Sequence, residues 1–192
     1  MAGNAEETSF PIISVAKDAL RYIPSKIVPA LGGFLSIAIY TRFLSPKGYG
    51  LYVLVITTIS IVSSITFTWL NRASLRYFED YRTKNLLSGF ISTGVTSLIF
   101  LFFVVSAIWY TVIVVLKGRL DKDFVYLFKI GTFALVAEVG FSFVLTILRA
   151  QRESLKYSFY SSMDTIGKLF LATCLLWFFS LGPQSILWAI IV

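Results

Sequence analysis

LLSGFISTGVTSLIFLFFVVSAIWYTVIVVL, residues 86–116, runs for 31 residues without one charged side chain. Coiled as an α-helix at about 1.5 Å per residue it would reach about 46 Å, well beyond the roughly 30 Å of hydrocarbon in a bilayer. Such a length, apolar on every side, reads as a membrane span. Working outward, similar runs occupy 20–43 and 49–70 before it and 124–148 and 159–180 after it, and a sixth starts at 184. The sixth reaches only Val192, too short to cross. It is expected either to end inside a span or to lie against the bundle, as in an incomplete chain. The expected fold is therefore all-α: a polytopic transmembrane bundle of about five to six spans over 20–192, preceded by a cytoplasmic segment 1–19.

Composition agrees. The chain is 57% hydrophobic and 14% charged, against about 45–50% and about 25% in soluble domains. The net charge of +7 sits in short clusters between apolar runs, the pattern of cytoplasmic loops and not of a nucleic-acid surface. One cysteine, Cys174, and no histidine leave no internal disulfide and no Cys/His zinc site, so no metal is expected. The first residues carry Glu6, Glu7, Lys17, Asp18 and Arg21 with no clean apolar core. The first span is thus expected to be its own insertion signal.

Lys and Arg set the orientation. With the N-terminus inside, the inner segments hold nine basic residues: Lys17, Arg21, Arg72, Arg76, Arg82, Lys84, Arg149, Arg152 and Lys156. The outer ones hold five: Arg42, Lys47, Lys117, Arg119 and Lys122. This favours a cytoplasmic N-terminus. The stretch 71–85 alternates basic with apolar residues and is expected to be a helix at the membrane surface or a solvated loop there.

Charge inside hydrocarbon is costly, so ionisable residues within spans mark candidate function. Lys129 lies near a span end and can snorkel. Lys26, Glu138, Asp164 and Lys168 lie deeper. Glu138 and Lys168 should reach similar depth on neighbouring helices, and Asp164 and Lys168 are spaced to pair along one helix. Small and polar residues repeat every three or four positions: Gly131, Ala134, Glu138, Ser142 and Thr146 on the fourth span, Thr57, Ser60, Ser64 and Thr68 on the second. On the first, Lys26, Pro29, Gly33, Ser36 and Tyr40 do the same. These faces are expected inward, as helix-to-helix glue or as the lining of a polar pathway. Pro24 and Pro29 are expected to loosen the first span beside Lys26.

Three stretches resemble a known family. Tyr40-Thr41-Arg42-Phe43-Leu44-Ser45-Pro46-Lys47-Gly48-Tyr49-Gly50 resembles the Arg-x-Leu-x-Pro-x-x-Tyr-Gly signature after the first span of polysaccharide flippases in the multidrug, oligosaccharidyl-lipid and polysaccharide exporter superfamily. Leu70-Asn71-Arg72-Ala73-Ser74-Leu75-Arg76-Tyr77-Phe78 resembles their exit from the second span. Ile147-Leu148-Arg149-Ala150-Gln151-Arg152 resembles their fourth-to-fifth hinge. The resemblance implies the first lobe of a two-lobe transporter that moves polyprenyl-diphosphate-linked oligosaccharides across the cell membrane for surface polysaccharide synthesis. It implies no cofactor beyond a coupling Na⁺ or H⁺, and no catalysis. A cationic cavity is implied as well. Arg21, Lys26 and Lys168 would bind the headgroup, Glu138 and Asp164 the coupling ion, and Ser36, Ser60, Ser64 and Ser142 would line the cavity. A membrane lipid and a second lobe or second copy are the implied partners, without nucleic acid. A drug or metabolite exporter of the same superfamily, or an inactive fragment, stands as the alternative. A membrane-embedded enzyme fits less well, for want of a histidine base or of paired carboxylates near the surface.

Overall fold

The computed structural model describes residues 20–116, 121–179 and 182–192. The expected segment 1–19, together with Lys117 and Arg119, lies outside the described residues. Among the described residues the helices are α1 Pro24–Phe43, α2 Pro46–Thr83, α3 Leu87–Leu116, α4 Lys122–Ala150, α5 Ser154–Phe179 and α6 Gln184–Ile191. Four segments are long and apolar enough to cross a membrane: Leu20–Phe43, Pro46–Thr83, Leu87–Val115 and Lys122–Ala150. The chain is a membrane-embedded helical bundle. α5 matches them in length at 26 residues and carries Asp164 and Lys168 within it.

Side-chain contacts give the directions. Tyr22 meets Tyr157, Gly32 meets Thr165 and Phe43 meets Trp177, so α1 and α5 run parallel along their whole length. Val55 meets Gly131 and Asn71 meets Ser142, so α2 and α4 are parallel too. Phe78 and Tyr81 against Phe90 make α2 and α3 an antiparallel hairpin. Five long helices thus alternate through one layer. One end of the bundle gathers the turns near residues 84–86 and 151–153 with eight of the basic residues, and will be called the basic end. Lys47 and Asp121 stand at the other.

Local chemistry sets the helix ends. Ser45 caps α2, accepting from the Gly48 N–H at 3.2 Å, and Pro46 follows at the first helical position, where its missing donor costs nothing. Pro24 likewise opens α1 after a bend at Ile23, while Pro29 is carried inside the helix without ending it. The expected loosening beside Lys26 is therefore confined to the bend. The turns at the basic end each need a left-handed residue. Asn85 (φ 57°) is suited to it, whereas Arg152 (φ 59°) takes it at about 1–2 kcal/mol.

The 71–85 stretch is neither a separate surface helix nor a loop: α2 continues unbroken to Thr83. Between Gly50 and Gly89 there is no glycine or proline to stop it. Its last turns are held by burying Ser74 and Phe78 against α3. α6, 8 residues, lies against α4 and α5 with Ile186 and Leu187 buried.

Two cores result. The larger is a dry seam between α2 and α4, with Val55, Ile59 and Phe67 against Leu127, Ala134 and Leu135. Gly131 makes it possible: a methyl group there would come within 3.0 Å of Val55 Cγ1. The smaller core joins α1, α5 and α6 at the Lys47 end through Tyr40, Leu44, Leu176 and Ile186.

Candidate functional site

Between these cores α1 and α2 stand apart; they meet mainly where Tyr40 packs edge-on against Tyr52, 5.7 Å between ring centres. Below that contact opens a cleft of about 470 Å³, walled by α1, α2 and α5. Glycines and hydroxyls line it. Gly33 faces open space, Ser36 returns its hydroxyl to the Gly33 carbonyl at 2.7 Å, and Ser60 does the same to Ile56 at 2.9 Å. Ser63, Ser64 and Thr165 complete the polar wall.

A charged triad stands in this cleft. The Lys168 ammonium donates to Glu138 Oε2 of α4 at 2.9 Å and pairs with Asp164 Oδ2 of its own helix at 2.9 Å. The Lys168 and Asp164 side chains are 24% and 25% exposed and Glu138 is 49% exposed, so the triad borders the opening and is not sealed in the core. Lys168 is about 12 residues along α5 from Lys156, and Glu138 about 11 along α4 from Arg149, each about 17–18 Å from the basic end. That is close to the middle of a 30 Å hydrocarbon layer. An ion pair at that depth persists only because each charge meets an opposite one.

The structure places the expected residues as follows. Glu138, Asp164 and Lys168 come together, and Ser36, Ser60 and Ser64 line the same cleft. Ser142 does not line it; its hydroxyl accepts from Asn71 Nδ2 at 3.1 Å and ties α4 to α2. Lys26 is exposed one turn beyond Pro29, the last α1 residue of the cleft, and Arg21 is half-buried in the short helical turn before Ile23. Neither joins the triad. The fourth-span face expected inward, as glue or as a polar lining, is mostly packed, since Gly131, Ala134 and Thr146 are buried against neighbouring helices. The charge of the cleft also differs from a cationic cavity. Its ionisable side chains other than tyrosines are two carboxylates and one ammonium, a formal charge of one negative.

Several lining residues carried no role in the sequence reading, among them Tyr52, Ser63, Thr165 and Ile190. Ser63 is three residues from Ser60, so the helical repeat could have found it. Tyr52 lies in the first turns of α2, two residues past the Tyr49-Gly50 of the signature. Ile190 could not have been placed, because α6 reaches the cleft only by folding back.

Outside the layer, the Lys47 end is pinned by Lys47 Nζ to Asp121 Oδ2 at 2.6 Å, joining the α1–α2 turn to the start of α4. That hydrogen bond and the attendant attraction hold the Asp121 carboxyl below its usual value of 3.8 and Lys47 above 10.5. At the basic end, Arg149 lies 5.6 Å over the Tyr157 ring, which in turn packs on Tyr22.

No family model matches the chain, and no curated protein or solved structure is significantly similar to it.

Proposed function

We propose that this protein is one lobe of a membrane transporter, with the cleft as its share of the translocation path and the Glu138–Lys168–Asp164 triad as an ion-responsive switch. The observation that carries the reading is a hydroxyl-lined cleft at mid-membrane depth holding a paired charge triad. Packing alone does not call for two carboxylates and an ammonium there. The Tyr40–Tyr52 contact closes the cleft toward the Lys47 end. The basic end, by its Lys and Arg excess, is the cytoplasmic side of the cell membrane, with the N-terminus inside.

The resemblance around Arg42 to Tyr49 makes a polyprenyl-diphosphate-linked oligosaccharide the first cargo to test, flipped toward the outer leaflet for surface polysaccharide synthesis. The triad changes the division of labour. Lys168 is satisfied by two carboxylates and is a poor anion receptor in this state, so headgroup binding falls first to Lys26, nearer the basic end. Glu138 and Asp164 are the groups a Na⁺ or H⁺ would engage, and engaging them would release Lys168. A second lobe or second copy would cover the open side.

The negative cleft favours one other reading, an exporter of organic cations. Both are tested with the chain in proteoliposomes, offering a fluorescent lipid-linked oligosaccharide or a fluorescent organic cation under an imposed Na⁺ or H⁺ gradient. Gradient-dependent movement of the oligosaccharide, lost in Glu138→Gln, supports the flippase. Movement of the cation alone supports the exporter. Movement of neither, in chain shown to be folded, inserted and paired with a second copy or lobe, overturns the transporter reading.

A further inference from the structure

α3 touches its neighbours sparsely. It meets α2 at the hairpin through Phe78 and Tyr81 on Phe90, and α4 through Gly94 against Phe143 and Trp109 stacked on Phe128. Between these props the α2–α3 seam holds two hollows. The first, about 270 Å³, lies at the basic end between Ser74, Tyr77 and Tyr81 of α2 and Phe90, Thr93 and Ser97 of α3. The second, about 320 Å³, lies deeper along the same seam, lined mainly by carbon from residues such as Val62, Ile65, Val105, Ile108 and Val112.

Their levels differ in a telling way. The exposed stripe of α2 changes from Ile61, Ile65 and Trp69 to Arg72 and Arg76, which marks the membrane interface. The first hollow is therefore at headgroup level. The second spans Thr66 to Thr58 on α2, about 9 to 21 Å deeper, the depth of an acyl chain and its terminus. One turn of α2, between Thr66 and Leu70, separates the two.

The rim of the first hollow is basic. The Arg76 guanidinium lies 5.6 Å over the Tyr77 ring, and the stretch from Arg72 to Lys84 carries four basic side chains against two acidic ones. Glu79 is turned to Arg82 at 3.6 Å, so it does not neutralise Arg76. Topology alone accounts for basic residues at this end. It does not account for a tyrosine- and hydroxyl-lined hollow beside them with an apolar one deeper along the same seam.

We propose that the α2–α3 seam seats an anionic phospholipid of the leaflet at the basic end, with its phosphate beside Arg76 and the tyrosines and one chain along the seam. A neutral lipid would fill the deeper hollow equally well, so the charge at the rim is what selects. The inference stands apart from the transport reading and needs no activity to test.

The test is photolabelling of the full chain in phosphatidylcholine nanodiscs doped with a trace of phosphatidylglycerol or of phosphatidylcholine, each carrying a diazirine in its chain. Labelled peptides are then mapped by mass spectrometry. The glycerol probe is expected to mark the Val105–Val112 part of α3 about fivefold more than the choline probe does, as one basic contact near the surface contributes about 1 kcal/mol. The outward stretch of α5 around Phe170 should show no preference. Arg76→Gln should bring the two probes level on α3. Equal labelling by the two probes in the unaltered protein would overturn the proposal without recourse to any variant. So would a preference that Arg76→Gln leaves intact in protein of unchanged helix content.

Discussion

α2 presents two faces to two environments. One carries Val55 and Phe67, locked dry against α4, with Ile59 at its border with the cleft; the other carries Ser60, Ser63 and Ser64 and faces the cleft. Each face has a glycine helix opposite it. Gly131 of α4 has Val55 and Ile59 in contact, whereas Gly33 of α1 has nothing near it. The same small residue thus allows close approach in one place and leaves space in the other. What separates them is the occupant across the gap: branched aliphatic carbon fills the first, and serines too short to fill it line the second. The triad then stands in a cleft that brings hydroxyls and paired charges together, and its Asp164–Lys168 pair also borders a second hollow of about 370 Å³ beside Tyr160.

The largest effect should come from unbalancing the triad. Lys168→Ala leaves Glu138 and Asp164 facing each other at mid-membrane depth. It should cost about 2–3 kcal/mol, below the 3–5 kcal/mol of a sealed pair because the cleft is open. Unfolding in a denaturing detergent titration measures it, and adding Glu138→Gln and Asp164→Asn should restore most of the loss. If the single and triple variants are equally unstable, the pairing is not what holds the site.

Next comes the contrast between the two glycines. Gly131→Leu must force Val55 and Ile59 apart, at about 1–3 kcal/mol. Gly33→Leu points into the cleft and should change stability by less than about 0.5 kcal/mol. Equal losses would erase the distinction between a dry seam and an open cleft. A smaller effect is expected at the tie between α2 and α4, where Asn71→Ala should cost about 0.6 kcal/mol, the usual worth of a hydrogen bond between membrane helices.

The smallest effect is a pH dependence at the Lys47 end. Asp121 is held below its usual value, so its contribution is present above about pH 4 and is lost as pH falls through the lowered value. Lys47 is held above its usual value, so its share is intact below about pH 10 and fades only as pH rises through the raised one. Both side chains are exposed, and the link should respond to salt. Asp121→Asn should remove the acid-side part of any pH dependence that the unaltered chain shows.

Much of the architecture was legible in the sequence because a bilayer demands long, mostly apolar runs, and 20–43, 86–116 and 124–148 lie within a few residues of observed helices. The overreach of α2 was not, since alternating Arg and aromatic residues describe an exposed amphipathic helix equally well whether it lies on the membrane or rises from it. Glu138, Asp164 and Lys168 were legible from depth and spacing. Which small-residue stripe would be wet was not: Ser142 and Gly131 share a helical repeat with Glu138, but their surroundings depend on how α2 is rotated. Lys26 falls outside the cleft because the stripe it belongs to runs past the last lining residue, Pro29.

The most direct test of the account is labelling by a membrane-impermeant thiol reagent on a Cys174→Ser background. Ser60→Cys and Ser64→Cys should react, while Val55→Cys on the same helix and Ala134→Cys across the α2–α4 seam, both fully buried and outside the cleft, should stay protected. Protection of all four would contradict a water-filled cleft and leave the triad as a packing device; reaction of all four would contradict the dry seam.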